Sequence, residues 1–208
     1  IERGYQRDLV RHSDHLLHFP YHSYDYVLRF FNEAAIDPEV TEIKTTVYRI
    51  AKDSFIGHAL GSAARNGKKV TVFVEVKARF DEANNLRWAE RLKEQGVKII
   101  YSIPGLKVHS KIALVTKKNS AGKQRIALFS TGNFNEKTAK IYCDTALLTS
   151  NKALTKGLEQ VFAFLKNPDD KPKLKQLLVA QVNMVEGFSA LIDREIAHAT
   201  AGKGGRII

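Results

Sequence analysis

The 208-residue sequence predicts an α/β fold, a mixed β-sheet flanked by helices. Two observations carry that expectation. Between residues 42 and 102, β-branched apolar runs alternate with amphipathic stretches, the strand–helix–strand rhythm of helices packed on a largely parallel sheet. After Pro104-Gly105 the rhythm changes: the apolar runs 107–116 and 124–131 are joined by a short polar loop, which suits an antiparallel pair.

The elements follow in order. Segment 42–50 (EIKTTVYRI) is rich in β-branched residues and reads as a strand. Asp53-Ser54 can cap a helix that runs to Asn66-Gly67, a good stop. Strand 69–77 (KVTVFVEVK) has nearly continuous Val and Phe, as expected when both faces are covered. Asp81-Glu82 opens a helix to Gln95-Gly96, with Trp88 and Leu92 at core spacing, and strand 97–102 follows. A further strand is expected over 141–149, in which Cys143, near Ala146 and Leu147, reads as a small buried side chain. A helix over roughly 151–166 leads into the turn-rich, charged linker 167–172. Residues 173–199 read as one long amphipathic helix, with Leu174, Leu177, Leu178, Val182, Val185, Leu191 and Ile192 at helical spacings. A boundary near 168 divides the chain into a main domain, 1–168, and a linker with the start of another, 169–208.

Composition narrows the class. With 44% hydrophobic and 26% charged residues the chain is globular rather than disordered. A single cysteine excludes an internal disulfide and a thiolate zinc cage. No apolar run approaches the ~18 residues that span a bilayer, and no signal peptide is recognisable at the start. The chain begins at Ile1, so a piece of a longer protein is expected.

The net charge of +11 and pI near 9.7 point to a polyanionic partner: nucleotide, nucleic acid, phosphate polymer or anionic lipid. The excess is uneven. Between Glu94 and Glu136 no acidic residue occurs, yet the stretch holds Lys98, Lys107, Lys111, Lys117, Lys118, Lys123 and Arg125. Lys117 and Lys118 fall in the polar segment 116–122, with Lys123 directly after it, and all three read as parts of a solvated hairpin loop. Lys111 differs, because a cation inside an apolar strand needs a partner.

Chemistry centres on His109-Ser110-Lys111. Residues two apart on a strand share a face, so imidazole and ammonium point into one site. Downstream, Ser130-Thr131-Gly132-Asn133 ends a strand and can return the Asn133 amide to the same face. This trio suits phosphoryl transfer: neutral imidazole can attack phosphorus, while lysine offsets charge on the equatorial oxygens.

His-x-Lys followed by this Ser/Thr/Asn segment resembles the half-site of the phospholipase D superfamily. The blocks IKTTVYRIAKDSFIGHAL, VEVKARFDEANNLRWAERL, GLKVHSK and STGNFNEKTAKIYCD are, more narrowly, similar to bacterial polyphosphate kinases of the first type, from about Leu17 onward. The resemblance implies the first of two phospholipase D-like catalytic domains, with the last helix opening the second. It implies reversible transfer of the ATP γ-phosphate to inorganic polyphosphate through a phosphohistidine at His109, with Lys111 and Asn133 beside it. It further implies Mg2+ as cofactor, Arg49 and Arg79 at the phosphate–magnesium site, and Tyr142 stacked on adenine. The implied setting is a homo-oligomeric full-length protein that uses ATP/ADP and polyphosphate and binds no nucleic acid. That protein would be cytoplasmic, or peripheral on the inner face of the membrane.

The residues support parts of this independently. Arg49 and Arg79 fall at or just beyond the C-terminal ends of predicted strands, where α/β folds bind ligands. Guanidinium forks fit phosphate oxygens but make poor magnesium ligands, so both are expected to line the site rather than to coordinate metal. Read without the resemblance, Arg49 and Arg79 could simply be ion-paired, Arg79 to Asp81 or Glu82, and Tyr142 could be a half-buried strand residue. His12, His15, His18 and His22 read as capping and surface polar groups rather than a metal site, with His18 facing a site.

Two departures from the wider superfamily matter. The aspartate expected after His-x-Lys is absent, with Leu114, Val115 and Thr116 around that place, and only one His-x-Lys occurs. The first weakens the alternative of a phosphodiesterase or nuclease. With the second, the resemblance implies that the family's partner histidine lies beyond Ile208; a non-catalytic polyanion-binding module is a third reading.

Overall fold

Seven strands form one sheet among the described residues of a computed structural model, which covers 13–78, 80–102, 105–120 and 122–208. They are β1 (His15–Phe19), β2 (Val40–Val47), β3 (Lys69–Val74), β4 (Lys98–Tyr101), β5 (Lys111–Asn119), β6 (Gly122–Ser130) and β7 (Asp144–Thr149). The spatial order is β1-β7-β6-β5-β2-β3-β4. β2, β3 and β4 run parallel, joined by helices α2 (Phe55–Arg65) and α3 (Glu82–Glu94), while every pairing from β2 through β5, β6 and β7 to β1 is antiparallel. The sheet is therefore mixed, as predicted. The sequence pattern did not mark β1 or helix α1 (Asp25–Ile36) as elements.

Local chemistry sets the helix starts. Ser54 caps α2, its Oγ accepting the Gly57 N–H at 3.2 Å. Glu136 ties the same turn to a distant loop, accepting from Ser54 Oγ at 2.8 Å and from the Ile56 N–H at 3.1 Å. Trp88 on α3 is buried, as its spacing predicted, and donates from Nε1 to the Ala51 carbonyl at 3.0 Å. α2 approaches it so closely that a Cβ on Gly57 would lie 2.5 Å from the indole. The core fills the space between sheet and helices with Phe30, Phe31, Ile43, Ile56, Leu60, Leu92 and Leu128, all nearly inaccessible.

Four expectations need correction. β5 begins at Lys111, not at 107, because the Ser110 carbonyl accepts from Thr46 Oγ1 at 2.6 Å instead of joining the ladder. Lys117 is not a solvated loop residue. The hairpin turn is tighter than expected, so Lys117 stays in the strand opposite Gln124, buried against Asp37 (2.9 Å) and Glu39 (3.0 Å). Cys143 is exposed, because β7 starts one residue after it and the preceding segment turns through a short 3₁₀ helix at Thr138–Lys140. Finally, 173–183 is not helical.

The last point belongs to the second of two compact units, the first ending at Lys156 and the second comprising Gly157–Ile208. Helix α4 spans Lys152–Lys166 and α5 spans Met184–Thr200. Between them the Asn183 amide competes with helix formation: its Oδ1 accepts the Val179 N–H at 2.9 Å, and its Nδ2 donates to the carbonyls of Leu174 (3.3 Å) and Leu177 (3.0 Å). Gln181 takes a left-handed φ of 66° in the same stretch. Of the apolar residues assigned to one long helix, only Val185, Leu191 and Ile192 lie on α5, and none of its residues is buried.

Candidate active site

The mixed topology brings unlike strand ends together. The C-terminal ends of β1, β2, β3, β4 and β6 and the starts of β5 and β7 meet at one end of the sheet. At this end α/β sheets bind ligands.

His109 and Lys111 stand two residues apart on the extended approach to β5. Lys111 Nζ lies 3.1 Å from Nδ1 and 3.2 Å from Nε2 of His109, so the two share a site as the spacing predicted. Thr46 fixes the backbone on which they ride: its hydroxyl donates to the Ser110 carbonyl and accepts the Ile112 N–H at 3.2 Å. Lys111 is buried, whereas His109 opens to solvent.

Arg49 belongs to the same cluster. It follows β2 by two residues, forms an ion pair with Asp81 at 3.2 Å, and adds positive potential at both His109 and Lys111. Arg49 is thus ion-paired, as the sequence alone allowed. Arg79 lies outside the described residues. Asn133 sits just past the end of β6, where Ser130 pairs with Lys111, and its Oδ1 is buried without a hydrogen-bond partner among the described residues. Tyr142, 62% exposed, precedes β7 by two residues and makes no ring contact or hydrogen bond with His109 or Lys111.

Three residues of this region were not singled out in the sequence. The Tyr48 ring meets the His109 ring at 4.5 Å between centroids. Glu75, fully buried, accepts from the Val108 N–H at 2.7 Å, the Lys77 N–H at 2.8 Å and Ser102 Oγ at 3.1 Å, which pins the residue before His109 to the ends of β3 and β4. Asp144 accepts from Thr131 Oγ1 at 2.9 Å and supports the charge on Lys111 from a distance. It also explains Gly132, where a Cβ would lie 2.3 Å from Asp144 Oδ2. Glu75 was findable by the logic that flagged Lys111, since a lone carboxylate within VTVFVEV needs partners.

The electrostatics follow from this packing. Burial, then the charges of Lys111, Arg49 and Lys107, push the His109 pKa below its ordinary value, partly opposed by Glu75. The imidazole is therefore neutral at neutral pH. Burial lowers Lys111 to about 8, Asp144 opposing and Arg49 adding to the shift. No cluster of three or more His, Cys, Asp or Glu suited to a metal occurs among the described residues. His15 contacts Ser13, His18 stacks on Tyr21, and the His22 ring accepts the His18 N–H, while His12 lies outside the described residues. No described helix is long and apolar enough to cross a membrane.

The mixed sheet, with a His-x-Lys pair and a strand-end asparagine at one end, has a phospholipase D-like fold. Nuc, a phospholipase D family member from Salmonella typhimurium, shares this fold with a TM-score of 0.58 over 74% of this chain and 94% of its own, at 14% identity. The crystal structure of polyphosphate kinase from Porphyromonas gingivalis is nearer: TM-score 0.83 and 51% identity over 93% of this chain and 32% of that one. The polyphosphate kinase of Escherichia coli K12 is 46% identical over 94% of this chain, which spans 28% of that relative's length. The family described as polyphosphate kinase C-terminal domain 1 matches residues 6–171, and the chain belongs to it.

Proposed function

We propose that this chain is the nucleophile-bearing catalytic domain of a polyphosphate kinase. A lone pair on the neutral His109 imidazole attacks the γ-phosphorus of ATP. The N–P bond forms as the bond from phosphorus to the β,γ-bridging oxygen breaks, and ADP leaves with that electron pair. A terminal oxygen of inorganic polyphosphate then attacks the phosphohistidine; the P–N bond breaks, the polymer is one unit longer, and the imidazole is regenerated. Both displacements are reversible.

Lys111 and Arg49 stabilise charge on the transferred phosphoryl oxygens, Arg79 joins them, and Asn133 presents its buried oxygen or its amide to the bound phosphate or the imidazole. Tyr142 offers an exposed ring for the adenine. The donor set suits a magnesium ion that arrives on the nucleotide phosphates, because the carboxylate nearest Arg49, Asp81, is engaged with it and guanidinium groups do not coordinate metal. When bound, Mg2+ would neutralise part of the phosphate charge, with Arg49 and Arg79 lining the site.

The observation that carries this reading is the His109 ring held within 3.2 Å of the buried Lys111 Nζ at the sheet end of a polyphosphate kinase family domain. The chain carries a single His-x-Lys, and in this reading a second histidine from elsewhere in the enzyme completes the pair. The expected result is an acid-labile, alkali-stable label on the full-length chain from γ-labelled ATP, lost in His109→Ala. A label and polymer synthesis that both survive His109→Ala would refute the assignment, and cleavage of a phosphodiester without any label would indicate a phosphodiesterase.

A further inference from the structure

The Tyr48 ring touches three members of the site at once. Its plane stands 79° to that of His109, with centroids 4.5 Å apart, an edge-to-face pair. Lys111 Nζ lies 5.0 Å from the Tyr48 centroid and Arg49 Cζ 5.7 Å from it, both over the ring, where the π-electron density attracts cations. The backbone beneath is pinned: Tyr48 directly follows β2, and its carbonyl accepts from Asn85 Nδ2 at 2.8 Å. The fold thus sets the ring before any substrate arrives. His109 is otherwise open to solvent, and an exposed imidazole explores several rotamers. In-line attack needs one: the nitrogen about 3–3.5 Å from phosphorus and aligned with the leaving oxygen.

Building on the reading of His109 as nucleophile, we propose that Tyr48 is its positioning residue. The ring edge or face braces the imidazole in one orientation. The same ring tethers Lys111 and Arg49 alongside, so that nucleophile and phosphate-binding cations keep a common frame. The role belongs to the aromatic ring and not to the phenol hydroxyl.

That distinction makes the test sharp. Tyr48→Phe keeps the ring, and Tyr48→Leu removes it at similar bulk; Tyr48→Met repeats the contrast with a more adaptable side chain should Leu lower stability. In the full-length chain, the rate of His109 labelling from γ-labelled ATP should stay within about threefold for Phe and fall by up to about 100-fold for Leu and Met, the scale of loss for a nucleophile displaced by about 1 Å. Histidine-selective NMR supplies a readout that does not depend on turnover: the His109 ring-proton resonances, displaced by the Tyr48 ring current, should move in Leu and Met and hold in Phe. Unchanged resonances and rate in Leu overturn the proposal. Equal losses in Phe and Leu also overturn it and assign the role to the hydroxyl. If the wild-type chain takes no label, the nucleophile reading fails, while His109 Hα–Hβ couplings still decide whether Tyr48 orients the ring: averaging over rotamers in Leu and Met but not in Phe supports it, and a single rotamer in all of them overturns it.

Discussion

Lys111 and Lys117 lie on the same face of β5, roughly 20 Å apart along the strand, and both are buried, at 7% and 5% exposure. Their surroundings are opposite. Lys117 is clasped by the carboxylates of Asp37 and Glu39. Lys111 has an imidazole and a tyrosine ring as neighbours, a guanidinium near enough to lower its pKa, and no ion pair among the described residues. A buried cation matched by carboxylates is part of the scaffold. One left without an anionic partner holds positive potential that an incoming phosphate can satisfy. The contrast, more than the overall +11, supports the proposal that the Lys111 end of the sheet receives substrate.

Breaking the scaffold end should have the largest effect. Lys117→Ala takes a cation away from the buried Asp37 carboxylate, and chemical denaturation should show a loss of about 3–5 kcal/mol, as for other broken buried pairs. The ligand end should respond the other way. Lys111→Met removes an unmatched buried charge at similar length, so the melting temperature should hold or rise, while His109 labelling falls by about 10²–10³-fold, the usual effect of deleting one preorganised charge from a transfer site. A loss of stability in Lys111→Met equal to that in Lys117→Ala would erase the distinction.

The smallest and most diagnostic effect is on pH. With its pKa lowered to about 8, Lys111 loses its charge as pH rises through that value, so phosphate affinity measured by calorimetry should decline there. Folding disfavours its protonated form, so stability should rise between pH about 8 and the ordinary lysine value of 10.5, because the unfolded chain binds more protons in that window. Lys111→Arg, charged throughout, should flatten both curves. For His109 the lowered pKa moves the acid limb of labelling below the ordinary histidine range, keeping the nucleophile neutral at pH 7.

Legibility in the sequence tracked the range of the interactions. Ser54, Asn66-Gly67 and Gln95-Gly96 mark helix ends through contacts within a few residues, and α2 and α3 follow them closely. The His109–Lys111 pairing is local too, and the strand period places it correctly. Lys117 could not be read the same way, because its partners lie some eighty positions earlier in the chain and only the β2–β5 pairing brings them near. Tyr48 reads as one more apolar strand residue until antiparallel β5 delivers His109 beside it. Residues 173–183 have faultless helical periodicity, yet one asparagine amide captures three backbone groups and unwinds them. Periodicity reports which residues prefer burial and not whether a side chain will outcompete the backbone.

The Glu75 carboxylate limits how this sequence can drift. Two of its three donors are main-chain amides, at Lys77 and Val108, so these hydrogen bonds do not depend on the side chains there but proline is barred from both places. The third donor is a side chain, and Ser102 can change only to another residue able to present a donor at that point. A single buried acid thereby couples the evolutionary latitude of three separate segments, and the approach to His109 inherits that restraint.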